Sequence, residues 1–166
     1  MLAGLIIAAV VVLAYFLGSI PFGLIVSRFR GIDIRQHGSG NIGATNVWRV
    51  LGKKAGLITF ACDLGKALVG VMVAKTLAAQ FLSGGSSAHD HWGAWAGISA
   101  AFGCILGHSF PVWLGFRGGK GVATSLGVII GMMPVAALLD FLLWGIVFAF
   151  TRFVSLAWLV AAVMRP

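Results

Sequence analysis

Charged residues are scarce in this sequence, and acidic ones are the scarcest. Glutamate is absent, four aspartates stand against twelve Lys and Arg, and only 10% of the 166 residues are charged, whereas a soluble domain has about 25%. Hydrophobic residues make up 60% of the chain, and the mean hydropathy is +1.02. The composition excludes a water-soluble fold, because such a fold could not cover this much apolar surface. We expect a single all-α integral membrane domain over residues 1–166.

Cysteine is also scarce. Cys62 and Cys104 lie in apolar runs without a Cys-x-x-Cys pair, which excludes a zinc or disulfide framework. We expect both to be small buried hydrophobic residues. The segment 89–91 (HDH) could bind a metal ion, but a solvated loop is the simpler interpretation, and we expect no metal site. The basic residues lie on neither a soluble helix nor an aromatic platform, so we expect no nucleic-acid partner.

The apolar runs predict the membrane spans, since about 20 apolar residues cross a bilayer as a helix. They cover residues 2–26, 55–81, 92–113, 122–150 and 153–164. The first run has no basic leader and is too long for a signal-peptide core, so we interpret it as a retained span. The fourth is long for one helix and contains Pro134 near its middle, which favours two short spans. The pattern predicts a polytopic helical bundle of about five complete spans plus a truncated sixth.

The distribution of Lys and Arg predicts the orientation. The connector 27–54 holds six of them against Asp33, and the connector 114–121 holds Arg117 and Lys120, whereas the polar loop 83–91 holds none. By the positive-inside rule both basic connectors face the cytosol, and the amino terminus lies outside. The same rule accounts for the net charge of +8 without any ligand.

The segment 38–46, GSGNIGATN, is the first candidate binding site. Its glycines let the backbone approach a ligand closely, and successive N–H groups can form an anion nest. Arg35 and Arg49 flank it, and an arginine fork suits phosphate. A flexible, turn-rich loop is the alternative. The segment matches G-x-G-x-x-G, but it follows a membrane helix instead of a strand in a βαβ unit, so we reject a dinucleotide site.

The segment 116–124, FRGGKGVAT, is the second candidate. It differs from a P-loop, because Leu114 stands where the first glycine is needed and Gly121 follows Lys120. Its glycines and lysine nevertheless come just before an apolar helix, whose amino terminus attracts anions. The sequence therefore predicts a phosphate site at the start of this helix. An ordinary basic connector is the alternative.

Three further titratable residues lie within the apolar runs. Asp63 and Lys66 are spaced i, i+3, so they lie on one helical face and can pair. Charges inside a membrane span are candidates for function, although a purely structural ion pair is equally consistent with the spacing. His108 lies near the cytosolic end of the third run, where it could act as an acid or base or contact phosphate. Capping or packing is its alternative role.

These segments carry a family resemblance. GSIPFG at 18–23, GSGNIGATN at 38–46 and HSFPVWLGFRGGKGVAT at 108–124 resemble the first two signature blocks of the acyl-phosphate-dependent glycerol-3-phosphate acyltransferases, the PlsY family. The resemblance implies transfer of a fatty acyl group from acyl phosphate to the sn-1 hydroxyl of glycerol 3-phosphate in phospholipid synthesis, without a cofactor. It further implies a monomer in the bacterial inner membrane, with its active site facing the cytosol.

The residue patterns and the resemblance together assign site residues. The catalytic candidates are Ser39, Arg49, His108 and Lys120. The candidates for binding substrate and phosphate are Gly38, Gly40, Asn41, Gly43, Thr45, Asn46, Lys66, Gly118, Gly119, Gly121, Thr124 and Ser155. Within these sets, the segment 118–121 would hold acyl phosphate.

The chain departs from the family pattern at its end. The family continues with another span and a third block containing His, Asn and Glu, so we expect the domain to be incomplete at its carboxyl end. Two other functions fit the same features. One is a small transporter or binding protein for a phosphorylated metabolite, and the other is a non-catalytic membrane fragment. The His-x-x-x-x-Asp signature of acyl-CoA-dependent enzymes follows none of the four histidines.

Overall fold

A computed structural model describes residues 2–82 and 86–153, together with residues 156, 159, 160 and 163. Every regular element in these residues is helical, which confirms the all-α prediction. The α-helices are α1 (Leu2–Gly18), α2 (Phe22–Arg28), α3 (Ala44–Leu51), α4 (Lys53–Leu82), α5 (Ser86–Ser109), α6 (Val122–Met132) and α7 (Pro134–Thr151). Short 3₁₀ helices cover Ile34–Gln36 and Val112–Leu114. The chain forms two compact units, one ending at Met132 and one beginning at Met133.

Four helical segments are long and apolar enough to cross a membrane: Leu2–Arg28, Lys53–Leu82, His91–Leu114 and Pro134–Thr151. The first includes the break between α1 and α2 next to Pro21. The predicted interruption near Pro134 is also present, because α6 ends at Met132 and α7 begins at Pro134. At 1.5 Å per residue, the 11-residue α6 is about 16 Å long, roughly half the apolar thickness of a bilayer. The count of five spans stays a prediction.

Two of the predicted connectors contain helices that the sequence analysis did not assign. Most of the polar loop predicted at 83–91 is helical, since α5 begins at Ser86. The basic connector 27–54 contains α3, which buries Val47 completely and leaves Trp48 and Arg49 exposed. Val47 packs with Leu24, Ile34, Ile42 and Ala55. This small apolar cluster fixes the basic connector to the end of the helical bundle.

Helices α1 and α5 approach each other closely through glycine. A Cβ added at Gly107 would collide with the backbone carbonyl oxygen of Tyr15 and lie 2.8 Å from the backbone nitrogen of Ser19. Gly18 and Gly103 face backbone atoms of the opposite helix in the same way. Small residues at such a crossing let two membrane helices pack backbone to backbone. Cys104, which is buried as predicted, belongs to the alanine-rich core beside this contact.

We expect Gly107→Ala to destabilise the bundle, because the added methyl group meets backbone atoms that cannot rotate away. Overpacking of this kind costs about 1–3 kcal/mol, and thermal unfolding in detergent would show it as a lower Tm. Gly93→Ala is the matched control in the same helix, since nothing lies within 4 Å of its added Cβ. Equal Tm values for the two variants would contradict the close α1–α5 contact.

Candidate active site

A single buried amide organises the first glycine-rich segment. Asn46, at the start of α3, accepts a hydrogen bond through Oδ1 from the backbone N–H of Ser39 (2.9 Å). Its two Nδ2 protons are directed at three backbone carbonyl oxygens, those of Asn41 (2.9 Å), His37 (3.0 Å) and Ile34 (3.4 Å). The side chain is 2% exposed. Asn46 was predicted to bind substrate, but its polar atoms are used to hold the loop from Ile34 to Asn41 in shape.

The loop needs glycine at two positions. Gly38 and Gly40 have φ angles of +61° and +70°, in the left-handed region that favours glycine. A Cβ at Gly38 would also collide with the Asn46 side chain. Asn41 Oδ1 then accepts a hydrogen bond from the N–H of Gly43 (2.8 Å), and α3 begins at the next residue. The loop therefore ends at the amino terminus of α3, where the first N–H groups of the helix lack helical partners.

The second glycine-rich segment folds back over the end of α5. The N–H of Gly118 donates to the carbonyl of Ser109 (3.1 Å), and the N–H of Gly119 donates to the carbonyl of His108 (3.0 Å). A Cβ at Gly119 would collide with Nε2 of the His108 imidazole, so the ring lies directly against this segment. Gly121, with φ +75°, then leads into α6. The prediction of a helix start at this point is confirmed.

The two segments, about 70 residues apart in sequence, line one cavity of about 280 Å³. The predicted site residues that line it are Ser39, Asn41, Gly43, Thr45, Asn46, Arg49, His108, Lys120 and Gly121. The cavity is also lined by Ala44, Phe60, Asp63, Val122 and Ala123. Phe60 was missed, although it lies one helical turn before Asp63 on the same face of α4.

Other predicted residues lie outside this cavity. Gly40 and Gly118 line a neighbouring open pocket that also contains Arg35 and Arg117. Gly38 packs behind the loop against Asn46, and Gly119 covers His108. Thr124 is fully buried in α6 and does not line the cavity. Ser155 lies outside the described residues.

A buried ionic cluster lies at the cavity wall. Lys66 Nζ is 2.8 Å from Asp63 Oδ1 and 3.1 Å from His108 Nδ1. His108 Nδ1 is 3.6 Å from the same Asp63 oxygen. The three side chains are 2–4% exposed. The structure thus shows the pair expected from the i, i+3 spacing and adds His108 to it.

The cations around the cavity differ in how far they are neutralised. Arg35 donates to Asp33 from Nε (2.9 Å) and Nη2 (2.6 Å), and this guanidinium group lowers the pKa of Asp33 to about 2. The arginine fork expected to suit phosphate is therefore occupied by a carboxylate. Within the described part of the chain, neither Arg49 nor Lys120 has an ion-pair partner. The cavity is left with two uncompensated positive charges.

A helical bundle with segments apolar enough to cross a membrane, and with a basic cavity lined by glycine, is typical of an integral membrane protein with a site that suits an anion. The sequence pattern of the family described as glycerol-3-phosphate acyltransferase matches residues 8–166. The chain belongs to this family, which confirms the resemblance found in its motifs. It is therefore a membrane acyltransferase by family, a class that takes part in phospholipid biosynthesis.

Proteins named glycerol-3-phosphate acyltransferase resemble the chain over most of its length. The protein of Thermosynechococcus vestitus is 43% identical over 167 residues, covering 100% of this chain and 78% of its own. The protein of Geobacter sulfurreducens is 45% identical over 166 residues, with coverages of 100% and 77%. That of Rhizobium meliloti is 46% identical over 159 residues, with coverages of 95% and 71%.

Two solved structures share the fold. Both are crystal structures of PlsY, described as an integral membrane glycerol 3-phosphate acyltransferase. The glycerol 3-phosphate form superposes with a TM-score of 0.72 at 40% identity, and the lysophosphatidic acid form with a TM-score of 0.73 at 39% identity. Each match covers 95% of this chain and 72% of the solved chain.

Proposed function

We propose that this chain transfers a fatty acyl group from acyl phosphate to the sn-1 hydroxyl of glycerol 3-phosphate, giving lysophosphatidic acid and phosphate. The observation that carries the proposal is one cavity lined by both glycine-rich segments and by Arg49 and Lys120, two cations with no ion-pair partner among the described residues. Both substrates carry phosphate, so the reaction needs two anion sites close together. The glycerol 3-phosphate and lysophosphatidic acid forms of the related PlsY structures support the acceptor and the product.

The reaction needs little covalent chemistry from the protein. The acceptor hydroxyl attacks the carbonyl carbon of the mixed anhydride, the bond from that carbon to the phosphate oxygen breaks, and phosphate leaves. The hydroxyl proton passes to a phosphate oxygen of the substrates. The protein's part is to orient the two substrates and to stabilise the charge that develops on oxygen. Ser39, Arg49 and Lys120 are the side chains that we assign to this task.

The distribution of Lys and Arg indicates on which side of the membrane the cavity lies. We place the cavity on the cytosolic side of the bacterial inner membrane, because its two loops carry most of the Lys and Arg. The amino terminus then lies outside, and the single domain crosses the membrane about five times. We propose a monomer as the acting unit, since both glycine-rich segments of the cavity come from one copy of the chain.

An apolar groove supports a donor with a fatty chain. A pocket of about 650 Å³ shares Ala44, Thr45, Arg49 and Phe60 with the polar cavity. It continues along Trp48, Gly56 and Leu57 on the surfaces of α3 and α4. Trp48 and Leu57 are 46% and 47% exposed. We propose that the acyl chain lies in this groove while its phosphate occupies the cavity.

We expect Leu57→Trp to shift the preferred donor toward shorter acyl chains, since the larger side chain shortens the groove. Each methylene that loses its place forfeits about 0.8 kcal/mol, so the ratio of kcat/KM between long-chain and short-chain acyl phosphates should fall by about tenfold or more. Ile58→Trp is the matched control, because Ile58 is exposed on the same helix but does not line the groove. Equal chain-length profiles for the two variants would contradict this placement.

The test of the proposed function is a comparison of donors. Purified protein in proteoliposomes is incubated with labelled glycerol 3-phosphate and either acyl phosphate or acyl-CoA. We expect labelled lysophosphatidic acid from acyl phosphate alone. Product from acyl-CoA alone would overturn the donor assignment. Uptake of labelled glycerol 3-phosphate without acylation would favour a transporter, and neither product nor uptake would favour a non-catalytic fragment.

A further inference from the structure

The contacts of Lys66 indicate the charge of its amine and the hydrogen bonds that it donates. Nζ lies 2.8 Å from the backbone carbonyl oxygen of Ile20, 2.8 Å from Asp63 Oδ1 and 3.1 Å from His108 Nδ1. Two of these partners, the carbonyl and the carboxylate, can only accept. An ammonium group has three donors and no acceptor. The contacts to the carbonyl and to Nδ1 have hydrogen-bond geometry, whereas the contact to Asp63 Oδ1 is an ion pair outside that geometry. A charged Lys66 can donate one proton to the carbonyl and one to Nδ1 while it pairs with the carboxylate.

A charged Lys66 sets the tautomer of His108, because an ammonium group can only donate. If Nδ1 accepts a proton from Lys66, the imidazole is neutral and its own proton must lie on Nε2. The hydrogen bond made by one ring nitrogen sets the state of the other in this way at many functional histidines. The Asp63 carboxylate, 2.8 Å from Nζ, favours the charged form of the lysine in a place where its side chain is 2% exposed. Asp63 thus acts on His108 through Lys66.

The other ring nitrogen faces the second glycine-rich segment. Nε2 lies where a Cβ of residue 119 would stand, so any side chain at this position would collide with the ring. Among residues 2–82 and 86–153, Nε2 has no hydrogen-bond partner. His108 also lines the cavity beside Lys120 and Gly121. A proton on Nε2 is therefore available to a ligand in the cavity.

We propose that Asp63 and Lys66 are positioning residues that hold His108 as the neutral Nε2–H tautomer, which donates a hydrogen bond to an anionic oxygen bound at Gly119–Gly121. The inference rests on the proposed function, since the phosphate of the donor would supply that oxygen. A fixed neutral donor stabilises charge that develops on this oxygen as the anhydride bond breaks. The geometry explains the need for glycine at position 119 and the presence of a buried ion pair in α4.

The direct test is ¹⁵N NMR of protein labelled at its four histidines. The His108 signals are assigned by their loss in His108→Gln. We expect a pyridine-type shift for Nδ1 and a pyrrole-type shift for Nε2 in the unmutated protein. The opposite assignment, or a doubly protonated ring at neutral pH, would overturn the proposal. This measurement needs neither a variant of Lys66 nor enzymatic activity, so it stands even if acyl transfer from acyl phosphate is not found.

The second test is Lys66→Met, which removes the donor to Nδ1 and keeps an unbranched side chain. We expect the single tautomer to be lost and kcat to fall by about 100-fold, the scale of a misplaced catalytic contact. Lys75→Met is the matched control in α4, since among the described residues Lys75 donates only to the carbonyl of Gly131, and it lies outside the site. If Lys66→Met keeps the tautomer and kcat of the unmutated protein, Lys66 is a structural residue and the proposal fails.

Discussion

Replacing Arg49 or Lys120 with alanine is expected to lower acyl transfer by at least about 100-fold, the scale seen when one donor to developing negative charge is removed. The two side chains line the cavity from opposite segments, Arg49 from α3 and Lys120 from the residues before α6. Neither is neutralised by an acidic partner in the described residues. Initial rates in proteoliposomes with acyl phosphate and glycerol 3-phosphate would measure the loss.

Arg30→Ala is the matched control for this prediction. Arg30 is also an exposed cation of the basic connector, but it does not line the cavity. Its removal lowers the net charge of the protein by the same amount. A general effect of net charge on the attraction of the anionic substrates would therefore lower the rate equally in all three variants. Normal rates in both Arg49→Ala and Lys120→Ala would refute the assignment of the site.

Asn46→Asp should disrupt the first glycine-rich segment despite its near-identical shape. In the unmutated protein the Asn46 amide donates to the carbonyls of Asn41 and His37 and accepts from the N–H of Ser39. The aspartate keeps the acceptor for Ser39, but its second oxygen faces the two carbonyls, which are acceptors themselves. An uncompensated buried charge costs about 3–5 kcal/mol. We expect backbone amide exchange across residues 34–46 to accelerate by at least about 100-fold, since each 1.4 kcal/mol of local stability is a factor of about ten.

Asn41→Asp separates this effect from the mere introduction of a charge into the loop. The Asn41 side chain uses only its oxygen, which accepts from the N–H of Gly43 (2.8 Å), and aspartate preserves that contact. Exchange across the loop should therefore remain within a few-fold of that in the unmutated protein. Equal acceleration in the two variants would mean that the Asn46 amide does not organise the loop.

The sequence predicted the parts of the molecule that follow from composition and repeated local chemistry. The long apolar runs indicated α1, α4 and α5, and Pro134 indicated the break before α7. The clustering of glycine with Lys and Arg indicated both segments of the cavity. Each of these signals is contained in neighbouring residues, which is why it could be interpreted without coordinates.

The remaining features depend on contacts between distant residues. Helix α3 was missed because it is only eight residues long within a basic, glycine-rich connector, and its burial depends on Val47 packing against Leu24 and Ile34. Arg35 was expected to be available to phosphate, but Asp33 occupies its fork. Nothing in the local sequence shows that the side-chain amide of Asn46 bonds to the backbone of the loop, including the N–H of Ser39. Only the folded chain shows which polar atoms are already occupied.

If the acyl chain lies in the groove along Trp48 and Leu57, the donor reaches the enzyme and the product leaves it by lateral diffusion in the membrane. A donor whose tail enters from the side diffuses within the leaflet, and a product with the same tail returns to it without desorbing into water. Reaction rate should then follow the mole fraction of acyl phosphate among the surrounding lipids and not its amount per volume of suspension. Diluting the donor with inert phospholipid at constant total donor should slow the reaction, whereas diluting the whole suspension of proteoliposomes should leave the turnover per enzyme unchanged.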